Sequence, residues 1–330
     1  MISVLFVTNM YPTAEAPYYG IFVREQADAL RARGVNVELV FINGRASKFA
    51  YLASVKQIAD RLRGGGIDLI HCHHTFAAWV ALAARRLAGV RIPLVLSFHE
   101  GEVFAPRATP APRTWKWLKR FALRRADFAL PVERRMLAAV LGGDASLVRH
   151  EVIPAGIDLD AFTPGDRAAA RQKLGWPPGD LILFFPFAQN KPAKRHDLAS
   201  AVRGILRWEG KHVRLVTGGS IAHDAMPDAL RACDVLLLLS DYEASPTVVK
   251  EALACERPVV ATDVGDIRER YGDLPGVRVV PPDIEEINDA IQELIEIAPP
   301  FGGRERIERL GLTTGLTADR IIGIYRGIMS

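Results

Sequence analysis

The strongest constraint on this chain is an alternation that repeats from one end to the other. Short, near-continuous Val/Ile/Leu runs alternate with helix-length amphipathic stretches. The runs are Ile2–Val7, Val35–Ile42, Ile67–Ile70, Leu94–Phe98 and Phe128–Val132, then Leu181–Phe187, Val213–Val216, Val235–Leu239, Pro258–Ala261 and Val277–Val280. A strand that is apolar at consecutive positions is buried on both faces, which predicts parallel sheets covered by helices. Between the runs, stretches such as Phe22–Arg33 and Tyr51–Arg63 stop at Gly34 and at Gly64-Gly65-Gly66. Glycine just past the last amphipathic turn is a helix stop. The pattern is βαβα twice over, and 330 residues is the length of two domains rather than one. The expectation is two doubly wound, Rossmann-like α/β domains, 1–153 and 154–312, with a helix over 313–330 returning to the first domain. The boundary falls at Val152-Ile153-Pro154-Ala155-Gly156-Ile157-Asp158, read as a strand broken by Pro and Gly. Ligands of such sheets sit beyond the carboxyl ends of the strands, so two sheets facing each other would place a site in a central cleft.

Several classes drop out. Hydrophobic residues at 49% and charged residues at 24% exclude a disordered or coiled-coil chain. Three scattered cysteines (Cys72, Cys233, Cys255) form no disulfide framework or zinc knuckle and suit a reducing compartment. The opening Met1–Val7 lacks a basic leader and reads as a buried strand, and no apolar run approaches bilayer length. A cytoplasmic protein is expected. Gly-x-Gly-x-x-Gly, P-loop, Gly-x-Ser-x-Gly and His-Glu-x-x-His signatures are all missing, which counts against common dehydrogenases, kinases, hydrolases and zincins. Charge is uneven: residues 1–160 carry 21 Lys+Arg against 14 Asp+Glu, a net +7, while 161–330 carry 21 against 24, a net −3. The basic half favours anions or an anionic surface.

The richest stretch is Ser240 to Cys255, at the carboxyl end of a buried run. Ser245-Pro246 reads as a serine N-cap followed by proline at the first helical position. The amides of Thr247 and Val248 then make an anion site suited to a diphosphate. Glu243 precedes the cap and Glu251 lies two turns into the helix, so each carboxylate would accept hydrogen bonds from hydroxyls, one on a sugar and one on a ribose. The alternative is a capped helix with Glu251 on its solvated face.

Glu243 and Glu251 form an E-x7-E motif, and Tyr242 to Asp266 as a whole resembles the retaining nucleotide-sugar glycosyltransferases of family 4, which have the GT-B fold. Further segments resemble the same family. Pro12–Gly34 matches its first glycine loop and helix, Ile67–His71 its third strand, and Ser97–Gly101 its acceptor-side His-Gly segment. Ile153–Phe162 matches its interdomain Ile-Pro-Asn-Gly-Val-Asp-x-x-x-Phe, with Ala155 in place of Asn.

The resemblance implies transfer of a sugar from a nucleoside-diphosphate donor to an acceptor hydroxyl on the same face, through an oxocarbenium-like transition state. Charge building on the diphosphate would meet the helix start (Ser245, Pro246, Thr247, Val248) and the loop Phe187–Arg195. In that loop Lys194 matches the family lysine, but Ala188-Gln189 replaces the usual Gly-Arg. Lys191 or Arg195 would then supply the missing charge, or catalysis is weakened or lost. A solvated basic turn is the alternative. The resemblance also places Gly20 against the diphosphate, Gly218–Ile221 against the nucleotide base, and His99 beside the reacting sugar, with Glu100 and Glu102 as further acceptor-side candidates. Gly20 also reads as an ordinary turn, and His99 as a structural histidine.

His71-Cys72-His73-His74 invites a metal, but no third and fourth ligands follow at regular spacing, and GT-B enzymes generally use none. No metal and no cofactor beyond the nucleotide-sugar donor are expected, with uridine ahead of guanosine; the acceptor is a sugar, a lipid-linked or a small molecule. Arg107–Arg135 holds nine Lys/Arg against Asp127 and Glu133 and mixes them with Trp115, Trp117 and Phe121. It reads as a peripheral contact with an anionic membrane, or as a helix whose aromatics enter the core. Nucleic acid is not expected, since no recognised module accompanies the charge. Two rivals stay open: a nucleotide-sugar epimerase of the same fold, and a non-catalytic sugar-nucleotide-binding protein.

Overall fold

All ten apolar runs become strands, and period-two side-chain alternation shows why. In the computed structural model they are β1 (Ser3–Thr8), β2 (Asn36–Phe41), β3 (Leu69–His73), β4 (Leu94–Phe98), β5 (Phe128–Pro131), β6 (Leu181–Phe185), β7 (Val213–Thr217), β8 (Val235–Leu238), β9 (Val259–Thr262) and β10 (Val277–Val280). The structure describes residues 1–16, 19–99, 101–104 and 113–330. In β6, Ile182 and Phe184 enter one core while Leu183 and Phe185 enter the core on the opposite face. Leu236 and Leu238 of β8 divide from Val235 and Leu237 in the same way. Sheets with two apolar faces need a layer of helices on each.

The chain divides into two compact units, residues 1–156 with 314–330, and residues 157–313. Each unit holds one five-stranded sheet of parallel strands, ordered β2-β1-β3-β4-β5 in the first and β10-β9-β8-β6-β7 in the second. Read from the opposite edge, the second order matches the first strand for strand. Both therefore reverse direction at one switch point, between β1 and β3 and between β6 and β8, where ligands of open α/β sheets bind.

The first unit is discontinuous. The last helix, Thr314–Met329, places Ala318, Ile321, Ile322 and Tyr325 in the same core as Val4, Phe6, Val23 and Leu30. Val152 and Ile153, read above as a strand, do not form one. Glu151 and Ile153 donate to the Ala129 and Pro131 carbonyls alongside β5 without extending into a strand.

Candidate functional site

In the second unit, four loops at the carboxyl ends of β6, β7, β8 and β9 converge. Glycines let them touch. A Cβ on Gly218 would sit 2.5 Å from the Pro186 carbonyl oxygen, and one on Gly219 would sit 2.8 Å from Ala188 Cα. Gly265, at φ +59, would place a Cβ 2.3 Å from the Ala244 oxygen. Only glycine fits these approaches. The Asp241 amide donates to the Ala193 carbonyl at 2.8 Å, tying the β8 loop to the β6 loop across the switch point.

These loops bring Lys194 and Glu243 together. Lys194 Nζ donates to Glu243 Oε1 at 2.5 Å, and Ser240 Oγ donates to the same oxygen at 2.8 Å. Ser240 is in turn held by Thr262, whose hydroxyl donates to the Ser240 carbonyl at 2.7 Å. The ammonium also lies 4.3 Å from the centre of the Phe187 ring. The side chains are 20% and 15% exposed. That is shielded enough to strengthen the pair and open enough for Nζ to reach an arriving anion. Ser240 and Thr262 were not singled out from sequence; a serine in a loop and a threonine ending a strand carry no signal by themselves.

The adjacent helix runs Thr247–Ala254, and its N-cap is Pro246 in an extended conformation, with no side-chain cap. The expected Ser245 cap with Pro246 as first helical residue is therefore wrong by one position. Pro246 has ψ 120°, outside the helical range, so the helix starts only at Thr247 and Ser245 stays in the loop. Thr247 and Val248 form the half-buried first turn, whose amides have no partner inside the helix. Glu251 is half-buried on the fifth helical position rather than fully solvated. Ile221 packs against the core, and Gln189 is exposed. Arg195, at φ +58, is engaged by Asp197 at 2.9 Å and Asp241 at 3.4 Å, so it would reach a ligand only in competition with two carboxylates. Lys191 is exposed in the same loop.

Lys250 was missed. It is wholly buried in the helix, and burial pushes its ammonium down to about 8, opposed by the charges of Asp266 and Glu251. A lysine beside Glu251 in sequence looks solvated, and only the packing of this helix shows otherwise.

In the first unit His99 follows β4. Its ring lies 4.7 Å from the Phe22 ring, and His99 Nε2 is 3.2 Å from His73 Nδ1. His71 and His73, two apart on β3, point to one face and are fully buried against Phe6. Tyr325 Oη from the last helix is 2.5 Å from His71 Nδ1, and Ser97 Oγ is 2.8 Å from His71 Nε2. Burial keeps His71 neutral, its pKa pushed down to about 3, holds His73 well below the usual histidine range, and raises the Tyr325 phenol well above its own. Both His71 nitrogens are thus already bonded, and His74, at φ +82, accepts from the Phe76 amide as a helix cap. Among the described residues no group of His, Cys, Asp and Glu is placed to hold a metal ion. Phe22, Glu25, Ser97, His99 and Thr317 line a cavity within this unit.

Gly20, at φ +74, needs no ligand to account for it: a Cβ there would lie 2.4 Å from the Met10 carbonyl carbon. Glu100, the Glu102 side chain and residues 107–112 lie outside the described residues. Of the basic segment, Arg113–Arg125 is a helix without acids. Phe121 stacks on Trp79 at 4.4 Å, while Trp117 stays 61% exposed, so the aromatics divide between the two readings. No helix among the described residues is long and apolar enough to cross a membrane.

Two parallel five-stranded α/β units of one topology, with a charged pair at the switch point of the second, define the GT-B class of sugar-transfer folds. Comparison with known proteins agrees. Residues 18–161 match Glycosyltransferase Family 4 and residues 192–296 match Glycosyl transferases group 1. The chain belongs to this family 4, group 1 set of glycosyltransferases. It is 29% identical over 303 residues to a D-inositol 3-phosphate glycosyltransferase of Nocardia farcinica, covering 79% of this chain and 65% of that protein. It is 27% identical to the Actinosynnema mirum protein of the same name, covering 93% and 90%. Among solved structures, sucrose-phosphate synthase from Thermosynechococcus elongatus superposes with a TM-score of 0.83 at 20% identity, covering 99% of each chain. HepE of Anabaena, in complex with UDP and glucose, superposes at 0.73 and 19% identity, covering 99% of this chain and all of that one.

Proposed function

We propose that this protein is a retaining, metal-independent glycosyltransferase that moves a hexosyl group from a nucleoside-diphosphate sugar to an acceptor hydroxyl. The observation that carries this reading is the Lys194–Glu243–Ser240 cluster at the switch point of the second unit. As the anomeric C–O bond breaks, its electron pair leaves with the diphosphate. Lys194 and the Thr247 and Val248 amides are the groups suited to hold that growing charge. The acceptor oxygen bonds to the anomeric carbon on the same face, and its proton passes to the departing phosphate oxygen. Glu243 and Glu251 accept hydrogen bonds from sugar and ribose hydroxyls, with Ile221 and Gln189 along the nucleotide. His99 in the first unit serves the sugar and acceptor side, and the Arg113–Arg125 helix offers an anionic membrane contact.

Uridine is the preferred nucleotide, supported by the HepE complexes with UDP and with UDP-glucose. The relatives' name makes a phosphorylated polyol the first acceptor to try, and the net +7 of residues 1–160 suits an anion. Calorimetry with UDP, GDP, ADP and TDP in the absence of metal, followed by turnover of the matching donor, tests the reading. Selective binding that weakens in Glu251→Ala, with transfer to an acceptor, supports it. Binding without turnover of any donor would favour a non-catalytic nucleotide-sugar binder, the reading to which Gln189 and the engaged Arg195 point. Turnover without an acceptor would favour an epimerase or hydrolase.

A further inference from the structure

The positive charge of the first unit gathers on one side of its sheet. In the strand order β2-β1-β3-β4-β5, the step from β1 to β2 runs one way, and the steps to β3, β4 and β5 run the other. Right-handed crossovers therefore put the helix Ile21–Arg31 on one face and the helices Phe49–Arg63, Thr75–Ala88 and Arg113–Arg125 on the opposite face. The last helix, Thr314–Met329, packs with Ile21–Arg31. That pair holds four Lys+Arg against three acids, a net +1. The trio holds eleven against Asp60 alone, a net +10.

The same face exposes apolar side chains at two places. Phe49 is 79% and Leu52 72% exposed at the start of Phe49–Arg63, and Trp117 is 61% exposed on Arg113–Arg125. Phe49, Leu52 and Lys56 follow the i, i+3, i+7 spacing of one helix stripe. Lys48, Lys56 and Lys116 are exposed beside them and have no carboxylate partner among the described residues. Both places flank the helix Thr75–Ala88. The Tyr51 ring lies 6.2 Å from that of Phe76, while Trp79 lies 6.3 Å from Trp117 and donates from Nε1 to the Leu118 carbonyl at 3.2 Å. With neighbouring helix axes about 8–10 Å apart, the two apolar points are separated by roughly 20 Å. The three helices follow β2, β3 and β4, so they start at the carboxyl ends of the strands, the end that carries His99.

Charge and exposure together select the occupant. Two copies of a face this basic repel each other. Nucleic acid would answer the charge and stack on rings, but it offers nothing to the aliphatic Leu52. A bilayer with anionic headgroups answers both, because the cations meet phosphates while the apolar side chains enter the headgroup–acyl boundary. We propose that this helix layer is a two-point docking surface for an anionic bilayer, with Lys48, Phe49, Leu52 and Lys56 as one point and Lys116 and Trp117 as the other. The contact of Arg113–Arg125 is then half of a surface whose other half carries no signal in sequence. Docking brings the strand ends of the first unit to the headgroup layer, where a lipid-linked acceptor is met; that purpose rests on the glycosyltransferase reading, and the docking itself does not.

Co-sedimentation of the full chain with vesicles tests the surface. Binding is expected to phosphatidylcholine vesicles that contain phosphatidylglycerol, weakening as salt is raised, and not to phosphatidylcholine alone. Phe49→Ser combined with Leu52→Ser should lower partition into the anionic vesicles about tenfold, and Trp117→Ser by a similar factor. Lys48→Gln combined with Lys56→Gln should also lower it about tenfold. All five side chains are exposed, so circular dichroism of each variant should match the wild type. No preference for the anionic vesicles, or a partition unchanged by the Phe49 and Leu52 substitutions, would overturn the proposal. A single-stranded oligonucleotide bound more tightly than the vesicles, with Phe49 and Leu52 immaterial, would assign the face to nucleic acid instead. Docking by a chain that turns over no sugar donor would leave this surface standing and count against the functional reading alone.

Discussion

The two units share one topology, yet they treat polar groups in opposite ways. At the switch point of the second unit a formal ion pair sits 15–20% exposed, sharing its carboxylate with a serine hydroxyl. In the first unit the imidazoles of β3, His71 and His73, are buried and held neutral. The contrast suits a division of labour. Charge that must meet a charged leaving group keeps contact with water and costs little to hold ionised. Groups that direct single protons gain from a dry, fixed setting, where a tautomer cannot drift. The same fold supports both, since the loops and strand ends, not the sheet, carry the chemistry.

The largest expected effect breaks the charged side. Lys194→Ala should lower donor turnover on the order of a hundredfold or more with the fold retained, checked by steady-state kinetics alongside circular dichroism. Glu243→Ala should match it, and the double variant should fall short of the product of the two if they act as one unit. Unchanged turnover in both would remove this pair from the site.

Lys250 sharpens the comparison, being a wholly buried lysine where His71 and His73 are buried and neutral. Its folded-state pKa of about 8 lies below its unfolded value, so the unfolded chain binds the extra proton between them. Stability should therefore rise with pH from about 8 toward the ordinary lysine value, by roughly 3 kcal/mol across that window. Lys250→Met should flatten this rise in denaturant titrations at stepped pH; an unaltered slope would place the ammonium in water.

On the neutral side, Tyr325→Phe leaves His71 Nδ1 buried and without its hydroxyl partner, and should cost about 1–2 kcal/mol in urea unfolding. Ser240→Ala is the mildest change, about 1 kcal/mol or less in stability, with a small loss of donor affinity as Glu243 loses one of its two donors. A large loss from Ser240→Ala would mean that the hydroxyl, not Lys194, orients the carboxylate.

Much of this was legible in the sequence, and the limits have physical reasons. All ten strands followed from apolar runs, because a strand buried on both faces has no other way to be written. Glu243 and Lys194, 49 residues apart, emerged as candidates through the family resemblance, but their 2.5 Å contact did not. Tyr325 and His71, 254 residues apart, gave no sign of each other, since nothing local marks a tyrosine hydroxyl that will meet an imidazole. The cap at Ser245 failed because serine before proline satisfies the rule for a helix start equally well one residue early. Gly20 shows the reverse case: a residue read as a ligand contact is already demanded by the Met10 backbone.

The discontinuity of the first unit has a consequence for the order in which the molecule is made. Residues 157–313 are contiguous and can close their core as soon as they emerge, whereas residues 1–156 lack Ala318, Ile321, Ile322 and Tyr325 until the last helix has been synthesised. The half made first is thus the half finished last, and through the whole elongation of the second unit it must wait with an apolar seam open. A ribosome that stops short of Thr314 releases a chain whose earlier-born sheet still lacks its closing helix and whose His71 has no phenol to meet. A closed core in the first unit therefore reports that synthesis has passed Tyr325.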